Sequence, residues 1–266
     1  MANEVAVAPP EIGLNTYLGG YRPFMQGGRY SGTVWQASDI VQTAAQALRA
    51  FEQGLAAEHA VYGLDALDEV ALHPILSGGF AQSGLGVWRE HPYPGEVSAR
   101  PILTARERCD LVLTADPAAP PLDPVVELKH MDAATGTLFE PIADTLAPPG
   151  PTTEPGDCCW VEVKAIAQFA YQSGVPVPNR AYATELVSGP ATDAIKIARE
   201  PMINHAMVLI VLFTADEATA AHDIAQMTHR CLDKGAPVGV PAVESFEIVE
   251  RAGNQVCTVA ALPVRL

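Results

Sequence analysis

The stretch that decides the fold is Cys159–Ile166, CWVEVKAI, an apolar run that carries a glutamate and a lysine two residues apart. Because side chains alternate across a β-strand, Glu162 and Lys164 lie on the same face of this predicted strand. Charged groups in such a setting are costly unless they have partners. A second apolar run, Cys109–Thr114 (CDLVLT), carries Asp110 in a similar environment. If the two strands are neighbours, the three charged side chains converge on one point.

Hydrophobic periodicity on either side of these strands predicts further helices and strands. A helix with Ser38 as its N-cap is expected to run to about Glu58. A second helical stretch starts at about Asp65 and ends near Gly84, and Pro74 is expected to divide it into two pieces. The remaining predicted elements are strands at Leu85–His91 and Met207–Thr214, helices at Ala191–Arg199 and Ala215–Lys234, and a hairpin of Ser245–Val249 with Val256–Val264. This order indicates an α/β or α+β domain around a mixed sheet.

Three segments interrupt this pattern. Residues 1–37 are rich in glycine, proline and aromatic residues and predict an irregular N-terminal arm, which leaves residues 38–266 as a single domain. Residues 115–157 hold nine of the 23 prolines, and we interpret them as a proline-rich acidic insertion, within which Val125–Lys129 has the composition of a short strand. A further proline-interrupted loop is expected from residue 168 to about residue 178.

The composition excludes several classes of protein. The chain has 266 residues, of which 48% are apolar and 18% charged, which is enough for a buried core and excludes a disordered chain. No apolar run reaches about 18 residues, so no membrane helix is expected. The five cysteines include no C-x-x-C pair, and no secretory signal is visible; we therefore expect reduced thiols and a cytoplasmic location. The net charge of −15 argues against nucleic acid as a partner.

The predicted convergence of Asp110, Glu162 and Lys164 points to metal chemistry. Two carboxylates at one sheet edge suit a hard divalent cation such as Mg²⁺. A nearby lysine can orient or help to deprotonate a water molecule and can neutralise developing charge, while the cation lowers the pKa of that water and stabilises an attacked phosphate. The three side chains therefore predict a hydrolytic phosphodiesterase site.

Asp110 and the triplet Glu162-Val163-Lys164, in the order helix–strand–strand–strand–helix–strand, resemble the PD-(D/E)xK nuclease superfamily. The resemblance implies an α/β fold with a restriction-endonuclease-like core, a mixed central sheet flanked by helices. It implies a Mg²⁺-dependent nuclease, with Mn²⁺ as an alternative cation, that hydrolyses DNA phosphodiester bonds. Asp110 and Glu162 would bind the metal, and Lys164 would assist the attacking water.

The same resemblance implies two further catalytic residues. Members of the superfamily often add a glutamate from the helix before the first strand, and Glu69 matches that position best, with Glu58 second. A glutamine beyond the lysine assists in some branches, and Gln168 is the candidate. The resemblance covers roughly residues 65–214. The proline that usually precedes the motif aspartate is absent, since Arg108-Cys109 stand there.

Alternatives remain for both the motif and the function. A second E-x-K triplet, Glu127-Leu128-Lys129, follows Asp110 at a shorter spacing. We prefer Glu162 and Lys164 because they lie in the longer apolar run. The domain could instead be a catalytically silent nuclease-fold protein that binds a partner protein. A homodimer is also expected if two strands are to be cleaved.

The distribution of charge and one helical pair bear on substrate binding. Residues 111–157 carry a net charge of −7, close to half of the total, so the acidic balance is concentrated in the insertion. No basic stripe is visible, and we expect weak, metal-dependent binding of DNA. Asp193 and Lys196 lie three apart in a predicted helix. They form a pair across one turn, or else Lys196 contacts a phosphate.

Overall fold

A six-stranded mixed sheet lies between two layers of helices in the computed structural model, which describes residues 35–95, 106–128 and 150–266. The long helices of these residues are α1 (Ala37–Ala57), α2 (Glu69–Gln82), α3 (Tyr182–Ile197) and α4 (Glu217–Asp233). The strands are β1 (Gly86–Pro92), β2 (Arg108–Thr114), β3 (Cys159–Ala167), β4 (Phe169–Gln172), β5 (Val175–Pro178), β6 (His205–Thr214), β7 (Ala242–Glu247) and β8 (Val256–Val264). The α/β class with a mixed sheet is confirmed.

The order of strands in the large sheet is β1-β2-β3-β6-β8-β7. Strands β3 and β6 run parallel, and the other neighbouring pairs are antiparallel. Helix α3 forms part of the crossover between the two parallel strands, as a parallel pair requires. The two sequence stretches that carry Asp110 and Glu162 are direct neighbours in the sheet, which is the condition on which the expected convergence depends.

Each face of the sheet has its own apolar core. Strand β6, HAMVLIVLFT, contributes Leu209 to the core beneath α1 and α2 and Val208 to the core beneath α3 and α4. A continuous apolar run of this kind is typical of a strand covered on both faces. In β3, Val163 belongs to the first core, so alternation turns the neighbouring Glu162 and Lys164 towards the side that α3 covers.

Two details of the first helices differ from the predictions. Helix α1 begins at Ala37 after the N-cap Gln36, so Ser38 is not its N-cap. Pro74 does not divide the second helix, because α2 is continuous through it. A proline at this position leaves the carbonyl group of Val70 without its helical partner, and Val70 is 63% exposed, so water can satisfy that group. A separate 3₁₀ turn at Leu64–Ala66 accounts for the predicted start near residue 65.

The proline-rich segments also hold more regular structure than predicted. Residues 124–128 are helical rather than a strand, while Lys129 and most of the predicted arm lie outside the described residues. The ends of the insertion are joined by a bridge between Pro121 and Thr153. The loop expected over residues 168–178 is a hairpin of β4 and β5, whose turn uses positive φ angles at Ser173 and Gly174.

The remaining elements follow the predictions closely, except that α3 begins nine residues before the expected start and continues through Pro190. The strands expected before and after α3 are present, and so is the final β7–β8 pair. All five cysteines are buried and carry no disulfide. Within the described ranges, none of the helices has the length and apolarity needed to cross a membrane.

Candidate metal centre

The candidate centre lies at the point where β2 and β3 part. The main-chain pairing of the two strands reaches Leu111 and Val161. At the next residue of β2, a side chain continues the contact: Asp110 Oδ2 accepts a hydrogen bond from the Val163 main-chain N–H at 2.8 Å. A carboxylate that replaces a main-chain acceptor is held firmly in position. Asp110 is therefore fixed beside the E-x-K triplet.

Glu162 is buried and has partners on several sides. Its Oε1 accepts a hydrogen bond from the Tyr93 hydroxyl at 2.5 Å and forms an ion pair with Lys196 Nζ at 2.7 Å. The Glu162 carboxyl group is also close enough to Asp110 for the two groups to affect each other's pKa. Burial raises the pKa of both carboxyl groups, and the Asp110 charge raises that of Glu162 further. Two buried carboxyl groups in contact favour a shared proton or a bound cation.

Lys164 is held between the two helical layers. Its Nζ lies 3.1 Å from Glu69 Oε2 at the start of α2 and 3.1 Å from Asp193 Oδ2 in α3. Burial opposes the charged form of Lys164, but Asp193 and Glu69 outweigh this effect and raise its pKa. Lys164 therefore acts here as a fixed cation, which suits orientation of a water and neutralisation of charge better than proton abstraction.

A buried histidine completes the centre. His73 lies one helical turn after Glu69 and is 1% exposed. Its Nε2 is 3.9 Å from Asp110 Oδ1, and neither ring nitrogen has a hydrogen-bond partner among the described residues. Buried polar atoms are almost always paired, so this imidazole calls for an explanation. Burial lowers the pKa of His73, so the ring is neutral near pH 7 and keeps a lone pair for a ligand.

These side chains fit a divalent cation. One ligand atom each from Glu69, His73 and Asp110 lies within 4.8 Å of the others, and the Glu162 carboxyl group on the neighbouring strand is close enough to Asp110 to affect its pKa. Carboxylate oxygens suit Mg²⁺ and Mn²⁺, and an imidazole nitrogen shifts the preference from Mg²⁺ towards Mn²⁺. The uncoordinated nitrogens of His73 are the structural observation that supports this fit.

The charge of the centre leads to the same conclusion. It contains four carboxyl groups and two ammonium groups, and its imidazole is neutral. Fully ionised, this set has two negative charges, which one divalent cation balances. The charged members are Glu69, Asp110, Glu162, Asp193, Lys164 and Lys196.

The structure brings four of the five predicted site residues together and leaves one apart. Asp110, Glu162, Lys164 and Glu69 belong to the centre. Gln168 does not: its Oε1 accepts a hydrogen bond from the Ala215 main-chain N–H at 2.9 Å. It also follows Lys164 by four residues, a separation of about 13 Å along an extended chain.

The two alternative glutamates have other positions. Glu58, the second choice for the helical glutamate, is the exposed C-cap residue of α1. Glu127 of the rival E-x-K triplet lies in the helical residues 124–128, so the strand that would align it with Lys129 is not formed.

Sequence reasoning missed four contributors, and one of them is Asp193, which pairs with Lys164. His73 follows Glu69 at i+4, a spacing that puts both on one helix face and could have been noticed. Lys196 was considered as the partner of Asp193, but its shorter contact is with Glu162, 2.7 Å against 3.8 Å. Tyr93 carried no signal, because it follows β1 outside any periodic element. It stacks on Trp160 at 5.4 Å between ring centroids.

Comparison with known proteins gives no further assignment, since no family model, no curated protein and no solved structure matches the chain. The class is therefore defined by the molecule alone. It is an α/β protein with a mixed six-stranded sheet and a buried cluster of acids, lysines and one histidine at the divergence of two strands.

Proposed function

We propose that this chain is a divalent-metal-dependent nuclease of the PD-(D/E)xK type that hydrolyses DNA phosphodiester bonds. The observation that carries the proposal is the convergence of Asp110, Glu162 and Lys164 with Glu69 beside an unpaired buried imidazole. Buried polar atoms without a hydrogen-bond partner are uncommon, and here His73 Nε2 faces Asp110 at 3.9 Å.

The topology supports the proposal. The order α2, β1, β2, β3, α3, β6 is the helix–strand–strand–strand–helix–strand order of the superfamily. Within it, β1 to β3 form an antiparallel meander and β6 is parallel to β3. We infer a restriction-endonuclease-like core made of these six elements, to which α1, α4, β7 and β8 are additions.

Each side chain has a distinct role in the proposed reaction. Asp110 and Glu162 would hold the cation together with the His73 imidazole, and Lys164 would orient the attacking water. Glu69 and Asp193 keep the Lys164 ammonium in place. A divalent cation held there supplies Lewis acidity: it acidifies water and offsets negative charge on the phosphate.

The reaction itself is a hydrolysis. The water oxygen forms a bond to phosphorus, and one ester P–O bond breaks. The hydroxyl group of the water stays on the phosphorus, and the other proton of the water ends on the departing oxygen. The products are a phosphomonoester and an alcohol. The protonated Lys164 neutralises part of the charge that develops on the phosphate, which is the usual role of a fixed cation at such a site.

The acidic balance of the chain shapes the expected substrate binding. A net charge of −15 repels a polyanion at long range. Affinity for DNA is therefore expected to be weak and to depend on the cation, which balances the negative charge of the centre.

The test is cleavage of supercoiled plasmid and of a labelled single-stranded oligonucleotide with Mg²⁺, Mn²⁺, Ca²⁺ or EDTA. Wild type is expected to cleave with Mg²⁺ or Mn²⁺, and Asp110→Asn and Lys164→Met should each lower the rate about 100-fold or more. Glu127→Gln, from the rival triplet, is the matched control and should retain the wild-type rate.

Two outcomes would contradict the proposal. One is equal cleavage by wild type and both site variants, which would identify a contaminant. The other is no cleavage by folded wild type with any cation and either substrate. That second result would favour a silent nuclease-fold protein that binds a partner.

A further inference from the structure

Lys196 is in an unusual position for a surface cation of an acidic protein. The chain has four lysines, Lys129, Lys164, Lys196 and Lys234, and two of them enter the candidate centre. Lys196 reaches it from α3, with Nζ 2.7 Å from Glu162 Oε1 and 5.3 Å from the centroid of the Tyr93 ring. Its side chain is 26% exposed, so one side of it remains open to solvent.

We propose that Lys196 is an exchangeable counter-ion of Glu162. It neutralises this carboxylate while no divalent cation is bound, and it leaves Glu162 for Asp193 and for a substrate phosphate when the cation binds. The proposal rests on the proposed function, because it requires Glu162 to be a metal ligand. It adds a link between cation binding and substrate binding that the three-residue motif does not contain.

The contacts of Glu162 explain why the lysine has to move. Oε1 already accepts the Tyr93 hydroxyl and the Lys196 ammonium. A divalent cation on the same carboxylate would stand a few ångströms from Lys196 Nζ in a poorly screened site, where like charges repel strongly. The lysine has a flexible stem and a solvent-open side, so moving it costs less than distorting the buried strand.

Asp193 offers the displaced ammonium a second position. It lies one turn earlier on α3, with Oδ1 3.8 Å from Lys196 Nζ. The other oxygen of Asp193 is 3.1 Å from Lys164 Nζ. Lys164 is less mobile, because Glu69 binds it with both carboxylate oxygens, at 3.1 and 3.2 Å. The two lysines therefore differ: Lys164 is fixed between two helices, and Lys196 has a choice of partners.

The exchange of Lys196 between partners would also reduce the repulsion between this acidic chain and a substrate phosphate. A chain with 31 acidic and 16 basic residues has few cations to offer a phosphate. Cation binding would release one ammonium group at the place where the phosphate must lie. Lys196 therefore has effects of opposite sign: it weakens cation binding and strengthens phosphate binding.

The first test measures the affinity for Mn²⁺ in the absence of DNA. Binding is followed by the loss of the electron paramagnetic resonance signal of the free ion. Lys196→Met is expected to bind Mn²⁺ at least tenfold more tightly than wild type. Arg89→Met is the control for general electrostatics, because exposed Arg89 acts on His73 through space. It should change the affinity less than threefold. Asp110→Asn should abolish saturable binding.

The second test uses wild type and does not depend on the folding of a variant. Brief acetylation of the lysines, read peptide by peptide with mass spectrometry, is compared with and without Mn²⁺. Lys196 should become several-fold more reactive with Mn²⁺, while exposed Lys234 at the end of α4 stays constant. In Ca²⁺, oligonucleotide binding by Lys196→Met should be at least fivefold weaker than that of wild type.

The outcomes separate the two proposals. If wild type shows no saturable Mn²⁺ binding, the metal centre and the exchange both fail. If wild type binds Mn²⁺ and Asp110→Asn does not, but Lys196 reactivity stays constant, only the exchange is overturned. If Arg89→Met gains as much Mn²⁺ affinity as Lys196→Met, Lys196 acts only through its general positive charge. That result would also overturn the exchange.

Discussion

Two buried polar clusters in this molecule contain acids, but they are built in opposite ways. One is the candidate metal centre around Asp110 and Glu162, called the metal centre below. The other, the Arg251 cluster, consists of Glu52, Arg251, Asp65 and Asn254 and lies where α1, the 3₁₀ turn and the β7–β8 connection meet. The comparison shows how a polar cluster held by fixed partners differs from one whose partners leave room for a ligand.

The Arg251 cluster is anchored mainly to the backbone and to a guanidinium group. The carboxylate of Glu52 accepts the main-chain N–H groups of Leu64 and Val249 and the Arg251 Nη1, the last at 2.6 Å. Asn254 donates to Asp65 Oδ2 and to the carbonyl group of Phe169. One Asp65 oxygen is left without a hydrogen bond. These fixed partners hold the loops together and leave little capacity for a ligand.

The metal centre relies on lysines and leaves an imidazole unpaired. Lysines are flexible point charges, whereas main-chain N–H groups and guanidinium forks are directional and fixed. Burial raises the pKa of each of its four carboxyl groups, as it does for Asp65 in the Arg251 cluster, so in both places ionised carboxylates are destabilised. The difference lies in the kind of partner and not in the depth of burial.

The largest effect that would test this comparison is on the Arg251 cluster. Arg251→Met should lower the free energy of unfolding by about 3 kcal/mol, because removal of one partner leaves a buried charge uncompensated. Its side chain is 9% exposed and that of Glu52 is 5% exposed. Urea denaturation followed by circular dichroism measures the change, and Mn²⁺ should not restore the loss.

Arg49→Met is the control for this experiment. Arg49 pairs with Glu244 at 3.4 Å on the surface, where both side chains are more than one-third exposed. Such a pair contributes about 0–1 kcal/mol. An equal loss in the two variants would mean that the Arg251 cluster is no more structural than a surface ion pair.

The second prediction concerns His73. His73→Leu should lower the affinity for Mn²⁺ about tenfold, with a smaller loss for Mg²⁺, because an imidazole nitrogen favours the softer ion. The same change should raise the free energy of unfolding by about 1 kcal/mol, since it removes an unpaired buried polar group. Calorimetric titration and urea denaturation give the two values.

His91→Leu provides the matched comparison. His91 also has a buried nitrogen without a hydrogen bond, but its ring lies against Trp160. We expect a similar gain in stability with unchanged Mn²⁺ affinity. If both variants lose Mn²⁺ affinity equally, His73 is a packing residue and the assigned ligand set is wrong.

The third prediction is a pH dependence of the metal centre. Burial and the Asp110 charge raise the pKa of Glu162 in the folded protein. A carboxyl group with a raised folded pKa stabilises the fold fully below its unfolded pKa, and this contribution is lost as the pH rises through the folded pKa. In EDTA, wild type should therefore lose stability relative to Glu162→Gln as the pH rises from about 4.3.

Urea midpoints at several pH values measure this difference, and saturating Mn²⁺ should abolish it. If the urea midpoints of wild type and Glu162→Gln change with pH in parallel, the ionised Glu162 does not destabilise the folded protein. The distinction between the two clusters would then rest on geometry alone.

The sequence predicted the sheet better than the helices that cover it. Long apolar runs such as Met207–Thr214 leave few alternatives to a buried strand. The break expected at Pro74 is absent, and α3 likewise continues through Pro190, because tertiary packing holds both helices together. Prolines are also the reason that a loop was predicted where the β4–β5 hairpin lies, since β5 has the sequence V-P-V-P. Proline weakens a local preference, but it does not override the packing of a whole element.

The residues of the candidate site also fall into those that the sequence predicts and those that it does not. Asp110, Glu162 and Lys164 could be brought together by strand alternation and one neighbour relation. The contributions of His73, Tyr93 and Lys196 depend on how two helices and a loop dock on the sheet, which no local pattern specifies. Gln168 was assigned by resemblance alone, and the contact it makes is with the chain after β6.

Gln168 therefore gives the smallest effect and the most direct test of structure against resemblance. Gln168→Ala should lower the free energy of unfolding by about 1 kcal/mol through the lost hydrogen bond to Ala215. The rate of DNA cleavage should stay within twofold of wild type. Gln172→Ala, at an exposed glutamine of β4, is the control and should change stability by less than about 0.5 kcal/mol. A large loss of cleavage with intact stability would contradict this assignment and would support the catalytic role that the resemblance implies for Gln168.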